Sequence, residues 1–104
     1  MIRAEFTKTN GKLIGFTICG HSGYAESGSD VVCASVSSVI QFSVNLLSES
    51  FGIETSCEVD DNVIKCEVLH TDDIADSVFK ALVLHLQAIS DEFPKTIKIT
   101  ISEV

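Results

Sequence analysis

The chain has 104 residues, 45% of them hydrophobic, with a mean hydropathy of +0.32, enough to enclose one core without disulfide or metal staples. Its net charge of −8 argues against direct nucleic-acid binding, because neutralising phosphates takes Lys and Arg. Arg3 and Glu5 interrupt any apolar signal core, and the longest aliphatic runs are four residues each, where a spanning helix takes about 20. These features predict a soluble cytoplasmic protein with no membrane segment.

Ile2, Ala4 and Phe6 alternate with Arg3, Glu5 and Thr7, the period of a half-buried strand. Asn10-Gly11 is a strong hairpin signal, and the return strand over residues 13–19 is expected to put Ile14, Phe16 and Ile18 on one face. A glycine-rich stretch, 20–29, follows. Val36, Ile40, Val44, Leu47 and Phe51 are then spaced four, four, three and four apart, which predicts a helix over about 30–51. Ser29 or Asp30 is its expected N-cap and Gly52 its stop, so Cys33 falls in the first turn.

The second half repeats the plan. Residues 55–59 and 63–69 alternate as strands about Asp60-Asp61-Asn62. Thr71 or Asp72 caps a helix with the stripe Ala75, Val78, Phe79, Leu82, Leu86 and Ile89, and Pro94 ends it. A last strand, 96–101, points Ile97, Ile99 and Ile101 one way. The order ββα-ββα-β, with one apolar face on the sheet and on each helix, predicts an α+β two-layer sandwich. The sheet is expected to be mostly antiparallel under two helices, in a single domain, 1–104.

The four cysteines, Cys19, Cys33, Cys57 and Cys66, form no C-x-x-C pair, so zinc-ribbon and thioredoxin-like readings lack support. In a reducing compartment they are expected to be thiols, with Cys57 and Cys66 on strands. Between Leu13 and Ile64 there is no Lys or Arg but there are seven carboxylates. A macromolecule docking on this half should be basic, although such acids also serve solubility alone.

In residues 20–33, a histidine closes a strand and a cysteine opens a helix, with glycines at 20, 23 and 28 between them. A thiol is a poor nucleophile near its reference pKa of about 8.5. The positive end of a helix favours its thiolate, and a neighbouring imidazole can take its proton and later deliver it to a leaving amine. The backbone N–H of Cys33 or Ala34 could hold the oxyanion. No Lys or Arg lies near Cys33 in the sequence, which leaves His21 and the helix end to activate the thiol. A packed small cysteine and ordinary turn glycines are the plain alternative.

The wording of the segment adds to its spacing. Gly20-His21, Ala25, Gly28, Asp30, Val32-Cys33-Ala34 and Val36-Ser37 closely resemble the signature of the ribosomal-processing cysteine protease (Prp) family, G-H-A-x-x-A-x-x-G-x-D-I-V-C-A-A-V-S. The chain departs at Ser22 and Ser35, where the family usually has Ala, and at Val31 in place of Ile. The signature covers 18 of the 104 residues. The resemblance implies a homodimeric endopeptidase that removes the N-terminal extension of a large-subunit ribosomal protein, a basic precursor, after an aromatic residue and before a small one. It implies Cys33 as nucleophile and His21 as base, with no metal or cofactor. Asp30 would orient His21 or cap the helix. Ser22, Gly23, Tyr24 and Gly28 would belong to a substrate loop hinged at its glycines. A non-catalytic ribosome-assembly or peptide-binding module of the same fold is the alternative. A metal site from Cys19, His21 and Cys33 follows no common zinc spacing, and His70 and His85 have no expected catalytic part.

Overall fold

The computed structural model describes residues 1–20 and 26–104, with the backbone alone over 26–30. Strands β1 (Ile2–Thr9) and β2 (Lys12–Cys19) turn at Asn10-Gly11, whose φ angles are 53° and 78°. Positive φ at both central residues matches the twist of the flanking strands. Helix α1 (Glu26–Asn45), β3 (Thr55–Asp60), β4 (Val63–Val68), α2 (Asp73–Glu92) and β5 (Ile97–Glu103) follow. The sheet order is β3-β4-β2-β1-β5. Its pairings are antiparallel except β1 with β5, which run parallel because α2 carries the chain from β4 to the far edge. The expected α+β sandwich is the observed one.

One sheet face is apolar and lies under the helices. Ile2, Ala4 and Phe6 of β1 pack with Phe16 and Ile18 of β2, Ile97 of β5, and the stripes Val32, Val36, Ile40 of α1 and Ala75, Phe79, Leu82, Leu86 of α2. Phe16 sits 5.9 Å from Phe6 and edge-on to Phe79 at 6.0 Å, within the range in which aromatic pairs attract beyond their area. The other face carries Arg3, Glu5, Lys65, Glu58 and Lys98, which are exposed.

Strand β2 departs from its expected alternation. The β1–β2 register shifts between Thr7 and Lys8, so Gly15 faces Thr7 while Leu13 faces Lys8. This bulge inserts Ile14 as the extra residue and reverses side-chain parity beyond it. Leu13 is therefore buried and Ile14 is only partly so. The Leu13 N–H, turned from the ladder, donates to Asp76 Oδ1 on α2 at 2.8 Å.

Helix α2 is capped by Asp72, whose carboxylate accepts from the N–H groups of Ile74 and Ala75 at 2.8 and 3.0 Å. Helix α1 begins at Glu26, four residues before Asp30. Acidic residues suit a first turn, and an internal glycine costs only about 1 kcal/mol, so Gly28 does not hold the chain as a loop. The last turn, Leu46–Ser50, is a π turn. Gly52, at φ 63°, stops it, and the Ile53 N–H returns to the Leu47 carbonyl at 2.9 Å, satisfying one of the carbonyls left open at the helix end.

Two expectations change here. Val31–Ser50, of mean hydropathy 1.6, is long and apolar enough by composition alone to cross a membrane; interruptions by Ser and Gln shorten its aliphatic runs without lowering its mean much. In this fold Val32, Val36, Ile40 and Leu47 of that stretch fill the core. Second, Cys57 and Cys66 are joined by a disulfide rather than present as thiols, because the β3–β4 register sets them directly opposite each other. Cys19 and Cys33 are free.

Candidate active site

Cys33 is the eighth residue of α1, in its third turn rather than its first. Val32 and Val36 take the inner stripe and are buried, leaving Cys33 on the flank, partly exposed yet packed against the core. It lines a cavity of about 270 Å³ with Val36, Ser37 and Ile40 of its own helix. The end of β2 supplies Ile18, Cys19 and Gly20, and the β3–β4 hairpin supplies Val59, Asp61, Asn62 and Ile64. Half of this lining is aliphatic. Ser37, Asp61 and Asn62 bring polar groups.

Gly20, the residue before His21, is held tightly. Its N–H donates to the Asn62 carbonyl at 3.3 Å, and its φ is 96°. A Cβ there would come within 2.6 Å of the Met1 carbonyl oxygen, so only glycine fits without a shift. The chain thus leaves β2 at the edge of the cavity that Cys33 lines. His21, Ser22, Gly23 and Tyr24 themselves lie outside the described residues. Gly28 and Asp30 have their backbone within α1.

That backbone revises two roles. Asp30 is the fifth residue of α1, so the capping role is closed to it. The N–H groups of Cys33 and Ala34 lie inside the helical ladder instead of free at its end. Both follow from the earlier start of the helix. Among the described residues, no three His, Cys, Asp or Glu side chains come together to hold a metal ion. Cys19 pairs in register with Arg3, on the sheet face opposite Ile18.

Val59, Asp61 and Asn62 carried no signal in the sequence. They join Cys33 only because β4 pairs with β2 and draws the β3–β4 turn to the end of that strand. A larger groove, about 650 Å³, runs between the outer faces of α1 and α2, past Phe42, Leu46, Phe51, Ile74 and His85. It shares no lining residue with the Cys33 cavity and contains no nucleophilic thiol.

An α+β sandwich with a free helical cysteine in a partly apolar cleft is the frame of a small thiol enzyme. Residues 1–98 match the family described as Cysteine protease Prp. The chain belongs to that family. It is 32% identical over 63 residues to the ribosomal processing cysteine protease Prp of Bacillus subtilis (strain 168), a stretch covering 60% of this chain and 56% of that protein. The aligned stretch thus spans little more than half the length of this relative. The fold is similar to a Streptococcus mutans protein, with TM-score 0.85, 27% identity, and coverage of 100% of this chain and 96% of the other. It is also similar to an essential ribosomal processing protease, Prp, of S. aureus in complex with a covalently linked product peptide. There the TM-score is 0.87 and the identity 27%, over 97% of this chain and 99% of the other. The same S. aureus protease in complex with a substrate peptide matches at TM-score 0.86 and 26% identity, with the same coverage.

Proposed function

We propose that this chain is a cytoplasmic, single-domain cysteine endopeptidase that removes the N-terminal extension of a large-subunit ribosomal protein, with Cys33 as nucleophile and His21 as general base. The observation that carries the reading is the coincidence of a family match over residues 1–98 with a free Cys33 lining a cleft. In this mechanism His21 takes the proton of Cys33 as Sγ attacks the scissile carbonyl carbon. The resulting oxyanion needs N–H donors. That part is given to the backbone N–H groups of Cys33 and Ala34, which lie within α1 in this structure. Collapse of the intermediate expels the amine, which takes the proton from the His21 imidazolium and leaves a thioester. Water, losing a proton to His21, attacks the thioester and releases the acid and the thiol. A relative that holds a covalently linked product peptide supports a route through a bond to the enzyme.

Asp30 is placed i, i+3 from Cys33 and so shares a flank of α1 with it; its part is to hold the imidazolium of His21. Ser22, Gly23 and Tyr24 belong to the substrate loop, whereas Gly28, expected with them, lies within α1. The seven acids between residues 13 and 64 favour a basic precursor, and the overall charge disfavours direct contact with nucleic acid. The chain acts as a homodimer. The exposed Phe42 and Ile74, which line the α1–α2 groove, support a second copy as its cover.

The test is cleavage of a peptide with an aromatic residue followed by a small one, read by mass spectrometry. Wild-type protein should cut at that junction, and Cys33→Ala and His21→Ala should lower the rate at least about 10³-fold. Undiminished cleavage by Cys33→Ala removes Cys33 as nucleophile. A stable uncut complex with wild-type protein would favour a peptide-binding module instead.

A further inference from the structure

Strand β3 is an edge strand that buries nothing: Thr55 is partly covered and its other five residues are exposed. Cys66, its partner across β4, is 0% exposed, lies in the core cluster and pairs with Phe16 of β2. The Cys57–Cys66 disulfide therefore anchors an otherwise weakly held edge to the core. Two residues further along the same face come Val59 and Ile64, which with Asp61 and Asn62 wall the Cys33 cavity. The Asn62 carbonyl also receives the N–H of Gly20, next to His21.

We propose that Cys57 and Cys66 form a thiol–disulfide switch that sets the order of the β3 edge and, through it, the wall of the peptide cleft at Cys33. The inference rests on the protease reading only for what the cleft takes.

The exposures of the two residues set the direction of exchange. Cys57 is exposed, so an incoming low-molecular-weight thiolate attacks its sulfur, and the bond to Cys66 breaks. Cys66 leaves as a thiolate and takes up a proton, since a neutral thiol is at home in an apolar core. A second small thiol attacks the mixed disulfide on Cys57 and frees it. Two thiols become one small disulfide, and two electrons and two protons pass to the protein. Oxidised glutathione, or another small disulfide, drives the reverse. Once reduced, β3 keeps its ladder hydrogen bonds but has no buried side chain to retain it, the condition under which local opening is easy. The cleft then loses a wall without losing its nucleophile.

The experiment uses the full chain as Cys33→Ala, so that oxidation of the nucleophile does not enter, equilibrated with reduced or oxidised glutathione. The oxidised protein should show residues 57 and 66 crosslinked by peptide mapping. Amides of residues 55–60 should exchange with deuterium about tenfold more slowly than in the reduced protein, with those of α2 unchanged. The oxidised form should bind a fluorescent peptide containing an aromatic–small junction several-fold more tightly. Adding Cys57→Ser should abolish each of these differences. Failure of the 57–66 bond to form in oxidised glutathione, or equal exchange and equal peptide affinity with the bond formed, overturns the switch. A peptide neither bound in either state nor cut by the chain carrying Cys33 counts against the protease reading instead. The mapping and exchange results decide the switch by themselves.

Discussion

Asp76 joins the second helix to the strand bulge, and its removal has a calculable cost. Its Oδ1 accepts the buried Leu13 N–H at 2.8 Å, while Oδ2 meets Lys80 Nζ at 2.8 Å. Asp76→Ala leaves the Leu13 donor without its partner at a residue only 2% exposed; an orphaned buried donor costs about 1–3 kcal/mol. The Lys80 pair is solvated on the lysine side, 59% exposed, and adds about 0.3–0.5 kcal/mol. The sum, roughly 1.3–3.5 kcal/mol, corresponds to a Tm lower by about 5–28 °C in a domain of this size. Asp76→Asn keeps an acceptor for Leu13 and should lose about half as much.

The pH dependence of this effect has a definite sign. The Lys80 hydrogen bond first, and the Leu13 N–H second, hold the Asp76 carboxyl below the ordinary 3.8. A group with a depressed folded pKa contributes stability that is present above the unfolded value and lost as pH falls through the folded one. Urea unfolding of wild type and Asp76→Asn, followed by circular dichroism from pH 7 to pH 3, should show a gap that is constant down to about pH 5 and then narrows. An Asp76→Ala protein as stable as wild type at pH 7, or a gap that widens on acidification, would refute the reasoning.

Gly20→Ala forces a Cβ to within 2.6 Å of the Met1 carbonyl at a φ of 96°. The backbone must shift one residue before His21, and kcat/KM for peptide cleavage should fall at least about tenfold, with about 1–2 kcal/mol lost in urea unfolding. Unchanged kinetics would detach the end of β2 from catalysis. Phe42 is 65% exposed beside the α1–α2 groove. If the proposed homodimer forms across this groove, Phe42→Asp should sediment as a monomer where wild type sediments as a dimer, with the circular dichroism spectrum retained; equal sedimentation of the two proteins would overturn that assignment.

Turns and stripes were legible because their chemistry is local. Asn10-Gly11, the Asp72 cap, the Gly52 stop and the alternation of Ile97, Ile99 and Ile101 each depend on neighbours a few residues away. The start of α1 was misplaced because Gly28 read as a loop residue, whereas a helix absorbs one glycine at small cost. At the site, the residue types at 21 and 33 stood out in one stretch of chain. The opposite wall, Val59, Asp61 and Asn62, did not, because it arrives through the pairing of β4 with β2.

The sequence by itself determined the element order, the two apolar helix stripes and the family wording around Cys33, all of which are written in short-range periodicity and spacing. Only the tertiary structure decided that Leu13 rather than Ile14 enters the core, that Cys33 sits in the third turn of α1, and that Cys57 meets Cys66 across β3 and β4. The bulge and the cysteine pairing are facts of strand register, and register is fixed by which side chains can be buried together, not by any segment alone. The same register brings the β3–β4 turn to Cys33 and completes its cleft.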